Sequence, residues 1–116
     1  MGNNKNVKNL AMSGGAFDYQ EWHISNIADG IENELERQGK PKPKEELWAS
    51  EDYYTRNPDE LTWYTYPEEV QKEMRKGVEI LRQAYVYATR IDYLLSGDDS
   101  EESFLKRLKQ ELRALK

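Results

Sequence analysis

From Pro67 to Leu95 the chain carries one uninterrupted helical pattern, and that segment constrains the fold more than any other. Val70, Met74, Val78, Leu81, Tyr85, Ala88 and Leu95 trace one apolar stripe, and Ile80, Ala84, Tyr87, Ile91 and Leu94 trace a second beside it. Pro67 suits the first helical position, where a missing N–H costs nothing, and Glu68 and Glu69 sit at the positive end of the helix dipole. Gly97 marks the stop. A helix with two adjoining stripes cannot cover both against one neighbour. It is either the centre of a bundle or part of a subunit interface.

Two further helices are predicted around it. Ile24, Ile27, Ala28, Ile31 and Leu35 recur with the period of a helix, which places the first from about Tyr19 to Gln38. Asp18 and Glu21 have the spacing of a capping box, and Gly39 stands where a C′ glycine belongs. Lys40-Pro41-Lys42-Pro43-Lys44 cannot continue a helix and reads as an exposed, extended linker. Residues 47–66 are rich in aromatics without a clean period. A short helix at Lys44–Ser50 followed by irregular packed loop is expected there, with Asn57-Pro58-Asp59 as a turn. After Gly97, Asp98 with Glu101 or Asp99 with Glu102 could cap a third helix, whose stripe is Phe104, Leu105, Leu108, Leu112 and Leu115. The fold class is therefore all-α: a three-helix arrangement with one long central helix and an aromatic-rich irregular connection. Residues 1–11, rich in Asn and Lys, read as a disordered leader, and residues 12–116 as a single α-helical domain. Only 37% of the residues are hydrophobic against 34% charged. So small a core favours a homo-oligomer.

Composition removes several kinds of chemistry. There is no cysteine, hence no disulfide framework, thiolate metal site or thiol nucleophile. No apolar run approaches the roughly 20 residues that span a bilayer, and Met1–Lys8 lacks the core of a signal peptide. A cytoplasmic protein without a membrane partner is expected. The net charge is −5, and without Lys5 and Lys8 the remainder carries −7. That balance argues against duplex nucleic acid as a partner. His23 is the one histidine, with no ligand or nucleophile at convincing spacing, so packing or ligand contact is its natural role. Glu32, Glu34 and Glu36 read as a solvated face rather than a converging acid pair. No catalytic set, metal site or cofactor is expected, and the chain reads as a binding protein rather than an enzyme.

Ser13-Gly14-Gly15 lacks the Lys-Ser/Thr of a phosphate loop and reads as a flexible lead-in. Phe17, Tyr19, Trp22 and His23 follow it within seven residues. Ile24 and Ile27 already supply the core face, so these rings are either a hydrophobic staple or a platform for stacking on a planar ligand. The long helix adds Arg75, Arg82 and Arg90 on one side, interleaved with Tyr85, Tyr87 and Tyr93. Arginine beside aromatics suits a nucleotide phosphate. Helix-surface ion pairs, Arg90 with Asp92 and Arg82 with Glu79, explain the same residues without a ligand.

Met12-Ser13-Gly14-Gly15-Ala16-Phe17-Asp18-Tyr19, Ile27-Ala28-Asp29-Gly30-Ile31-Glu32 and Arg90-Ile91-Asp92-Tyr93-Leu94-Leu95-Ser96-Gly97-Asp98-Asp99-Ser100-Glu101-Glu102-Ser103-Phe104 stand in that order. In this the chain resembles a widespread family of small bacteriophage proteins, over most of residues 12–112. Gly30 departs from the pattern, where an acidic or helix-favouring residue is usual. The resemblance implies an accessory counter-defence protein in the cytoplasm of the infected bacterial host. The class it looks most like is the anti-CBASS sponges, oligomers that bind and sequester a cyclic nucleotide immune signal without cleaving it. Under that reading Phe17, Tyr19, Trp22 and His23 stack on bases. Arg82 and Arg90, with Tyr85 between them, meet phosphates across a subunit interface. The alternative is an acidic protein-binding inhibitor of a host or defence protein.

Overall fold

The computed structural model describes residues 15–115. The predicted leader, with Met12, Ser13 and Gly14, lies outside them. Among the described residues there are four α-helices and no strand: α1 (Trp22–Arg37), α2 (Glu51–Arg56), α3 (Glu68–Leu95) and α4 (Glu101–Ala114). Two 3₁₀ turns, Lys44–Glu46 and Pro58–Leu61, flank α2. The all-α reading holds, with the long helix at the centre.

Several boundaries differ from the sequence reading, each for a local reason. Helix α2 begins after the expected Lys44–Ser50 segment, because the Ser50 side chain accepts from the Tyr53 N–H and so starts the helix one residue later. Similarly, α4 is capped by Ser100, which accepts from the Ser103 N–H. Neither expected acidic capping box forms there, since Asp99 is buried against arginines instead. Pro67 takes the N-cap position of α3 rather than N1, with Glu68 and Glu69 in the first turn as expected. Gly39 (φ 77°) and Gly97 (φ 86°) both adopt the left-handed backbone that ends a helix.

Helices α1 and α4 both run antiparallel to α3. Ala16, before α1, bonds to Asp92 near the end of α3. In mid-helix Arg82 bonds to Ser25 and Asp29. At the other end the Tyr66 N–H donates to Gln38 Oε1 at 2.7 Å. The short turn through Gly97 folds α4 back until Leu115 shares a cleft with Val78 and Arg82. Packing joins α1 to α3 and α3 to α4.

Residues 39–66 form an arm between α1 and α3. Its neck is a two-stranded contact: Pro41 bridges Thr62, Gly39 N–H donates to the Trp63 carbonyl, and Trp63 N–H donates to that of Lys40. The Pro/Lys segment is thus paired rather than free, although Pro41 and Lys40 remain exposed. The Arg37 guanidinium lies 3.7 Å from the centre of the Trp63 ring and closes the neck. Further out, Tyr54 is buried, its hydroxyl accepting from the Ala49 N–H, and Tyr53 donates to Glu60 at 2.8 Å. The sequestered apolar side chains are few: Ala28 on α1, Val78 and Val86 on α3, and Tyr54 in the arm.

Candidate functional site: the aromatic turn

The segment before α1 is held by the far end of α3. Asp92 would be a poor occupant of an apolar helix end unless something donated to it. Ala16 N–H does so at 2.6 Å, the Ser96 hydroxyl does so at 3.2 Å, and Gly15 N–H donates to Ser96 Oγ at 3.2 Å. Asp92 is fully buried as a result. These bonds pull the chain into a tight turn in which Asp18 and Tyr19 take φ values of 55° and 60°. Two consecutive non-glycine residues in the left-handed region are costly, and such strain persists only where the surroundings impose it. The expected Asp18–Glu21 capping box does not form: Glu21 occupies the N-cap position and its side chain makes no cap bond.

Glu21 is instead directed at Asp92. Glu21 Oε1 and Asp92 Oδ2 are both buried, and neither has a hydrogen-bond donor. Burial raises the Glu21 carboxyl above its ordinary value of 4.5, and the neighbouring Asp92 carboxyl raises it further. One proton held between the two carboxyls would satisfy both oxygens.

The consequence for the rings is outward display. Phe17, Tyr19, Trp22 and His23 are all exposed on this one turn. The rings of Trp22 and His23 stack on each other, 4.3 Å apart at 27°. They do not fill the core, which a staple would require. The turn therefore presents four rings on a backbone that is strained and pinned at its base.

The arginines are placed elsewhere. Arg82 donates to Asp29 at 2.7 Å and Glu32 at 2.6 Å, about 15 Å along α3 from the turn. Both hydrogen bonds hold its guanidinium more firmly in the charged form. Glu32 is thus an ion-pair partner as well as a surface acid. Arg90 is buried, 3.5 Å from Asp99 and 3.7 Å from Glu111, with its guanidinium over the Tyr93 ring. It lies about 200° around the helix from Asp92, so it points away from the turn. Tyr85 is half-buried between those levels. Within one chain the four aromatics lie exposed on one short segment, with Trp22 and His23 in ring contact, whereas Arg82, Tyr85 and Arg90 do not join them. Ion pairs do engage the arginines: Arg82 with Asp29 and Glu32 of α1, Arg90 with Asp99 of the turn and Glu111 of α4, and Arg75 with Glu68 on its own helix, none of them with the expected Glu79 or Asp92.

The Glu21–Asp92 pair escaped the sequence reading. Its signal was available: an aspartate inside the apolar run Ile91–Leu95 has to be paid for by a partner. The arm also holds a cavity of about 510 Å³, lined by Leu47, Ala49, Tyr54, Pro58 and Leu61 among others. Among the described residues no group of three or more His, Asp or Glu side chains could hold a metal ion, and no helix is long and apolar enough to cross a membrane. In comparison with known proteins, no family model, no curated protein and no solved structure matches the chain.

Proposed function

We propose that this protein is a phage counter-defence protein that binds a cyclic nucleotide immune signal through the aromatic turn at residues 17–23 and holds it without cleaving it. The observation that carries the reading is the turn itself. Strained backbone, anchored by a buried carboxylate, holds four rings in solvent where a planar base can stack. The order of the three segments that resemble the phage family suggests the class of ligand. The arginines first considered for the phosphates are occupied by carboxylates, so base stacking carries the binding in this reading.

Titration of the purified protein with 3′3′-cGAMP and related cyclic and linear dinucleotides tests it. Binding is expected with the ligand recovered intact after heat denaturation. Trp22→Ala should weaken it by about 5- to 150-fold, the equivalent of roughly 1–3 kcal/mol for one stacked base. Absence of binding to all of these nucleotides overturns the reading.

The ion-paired state of Arg82 and Arg90 favours a second reading, an acidic inhibitor that docks on a host or defence protein. A stoichiometric partner retained from host lysate at moderate salt, and lost with Trp22→Ala, supports that alternative.

A further inference from the structure

Residues 37–44 and 61–67, which pair across the neck of the arm, carry Arg37, Lys40, Lys42 and Lys44 and no acid. The rest of the chain then carries −9, because its net −5 includes those four cations. Trp63, Tyr64 and Tyr66 stand on the second of the paired segments. Cations set among aromatic side chains are what a surface for single-stranded nucleic acid needs: the cations follow the phosphates and the rings take the bases. We infer that the neck is a short binding site for single-stranded nucleic acid. It is separate from the aromatic turn, which lies about 36 Å away along α3.

The groups on this surface divide into those that hold it and those left open. Arg37 pairs with Glu34 and covers the Trp63 ring at 3.7 Å, and Lys42 lies 5.4 Å from the centre of the same ring. Trp63 is therefore part of the scaffold. Lys40 and Lys44 are exposed and, among the described residues, make no ion pair. Tyr64 is 68% exposed and meets the Tyr66 ring at 5.0 Å, nearly perpendicular. The backbone beneath these rings is fixed. Tyr66 N–H donates to Gln38 Oε1, and Gln71 Nε2 donates to the Tyr66 carbonyl, both at 2.7 Å. Gly39 approaches Thr65 so closely that a Cβ would stand 3.3 Å from its hydroxyl. A platform held in this way loses little freedom when a ligand arrives.

The register of the neck selects the kind of occupant. Pro41 bridges Thr62, so alternation puts Lys40, Lys42 and Trp63 on one face and Tyr64 on the other. A ligand that uses both cations and open rings has to bend round the edge between them. A single strand bends at every nucleotide, whereas a DNA duplex stays stiff over about 150 base pairs. An acidic peptide would engage the lysines and leave the tyrosines unused. Acids also bound the site: Glu45 and Glu46 follow Lys44, and Glu68 and Glu69 follow Pro67. The stretch from Gly39 to Lys44 spans about 17 Å, which suits a few nucleotides and no longer track.

Fluorescence anisotropy of a labelled twelve-nucleotide oligothymidylate, titrated with the full chain, tests the site. Binding is expected in low salt. The logarithm of the binding constant should fall against that of the salt concentration with a slope of about −2, as for three neutralised phosphates at about −0.7 each. Tyr64→Ala should weaken binding by about 5- to 150-fold, the range for one stacked base, and keep its helical circular dichroism. Replacing both Lys40→Gln and Lys44→Gln should reduce the slope to about −0.7. Non-specific complexes ordinarily dissociate at roughly 1–100 µM, so no binding at about 100 µM protein in low salt overturns the proposal. Equal affinity for the corresponding duplex, or for polyglutamate, overturns it as well. So does loss of binding in Trp22→Ala but not in Tyr64→Ala, which would move the strand to the aromatic turn. If Tyr64→Ala loses its helical signal, the slope of the lysine variant still decides. Cyclic dinucleotide binding at the turn should be unchanged in Tyr64→Ala, so the two sites stand or fall separately.

Discussion

At the scale of single residues, the side chains that matter most are charged groups in unusual surroundings. Arg90 and Asp99 are both buried, and Arg107 reaches Asp99 from the surface at 3.1 Å. Removing Arg90 takes away the buried partner of Asp99 and leaves only the half-exposed Arg107 to face it, whereas Arg82 sits between two exposed acids. Arg90→Ala should therefore cost about 3 kcal/mol of stability and Arg82→Ala about 1 kcal/mol or less, measured by urea unfolding. Equal costs would show that Asp99 is not sequestered as described. The Glu21 carboxyl makes a prediction of opposite sign to most acids. Its folded-state value is raised, so its stabilising contribution is complete below the ordinary value of 4.5 and is lost as pH climbs through the folded-state value. Glu21→Gln keeps a donor for Asp92 without a second charge. It should raise stability at pH 7–8 by on the order of 1 kcal/mol, seen as a higher thermal midpoint, and flatten the decline above the ordinary carboxyl range. A native profile that rises with pH in this range would count against the shared proton.

Elements were set by caps and breakers, and here glycine is the informative residue. Gly39 and Gly97 earn their places at positive φ, but Gly30 lies inside α1 and a Cβ there meets nothing within 4 Å. Gly30→Ala should accordingly stabilise the protein by about 0.5–1 kcal/mol, visible as a higher urea midpoint with unchanged slope. Gly77, inside α3, likewise has open space around it, so Gly77→Ala should stabilise by a similar amount. Helix α2 shows how a single hydroxyl sets a boundary. Ser50 caps it, and after six helical residues Asn57 closes it, its N–H on the Tyr53 carbonyl.

For the whole molecule, stability is unevenly distributed. The α1–α3–α4 unit is joined along the full length of its longest helix. The arm has one buried ring, Tyr54, and its helix packs only on the 3₁₀ turn that follows. Amides of residues 51–61 should exchange with solvent by local opening well before those of Val78–Val86, in hydrogen-exchange mass spectrometry at neutral pH. Matching protection in the two regions would mean the arm is covered, and Trp48, 77% exposed beside the arm's cavity, would be the first place to look.

What periodicity could settle, it settled: the all-α class, the long central helix, the existence of the last helix and the stop signals at Gly39 and Gly97. Those features depend on residues within a turn or two of one another. The aromatic turn was legible as four rings in seven residues, but the expectation that Ile24 and Ile27 supply the core face of α1 held only in part: Ile27 is 55% exposed, and Ala28 is the buried residue of that helix. Whether those rings stay outside depended on Asp92, more than 70 positions away, and on its bond to Ala16. The fate of Arg82 and Arg90 was likewise tertiary. Spacing placed them on one side of a helix, but the carboxylates that engage them come from α1, from the turn before α4 and from α4 itself. A local pattern says which side chains share a face. Only the packed chain says what that face meets.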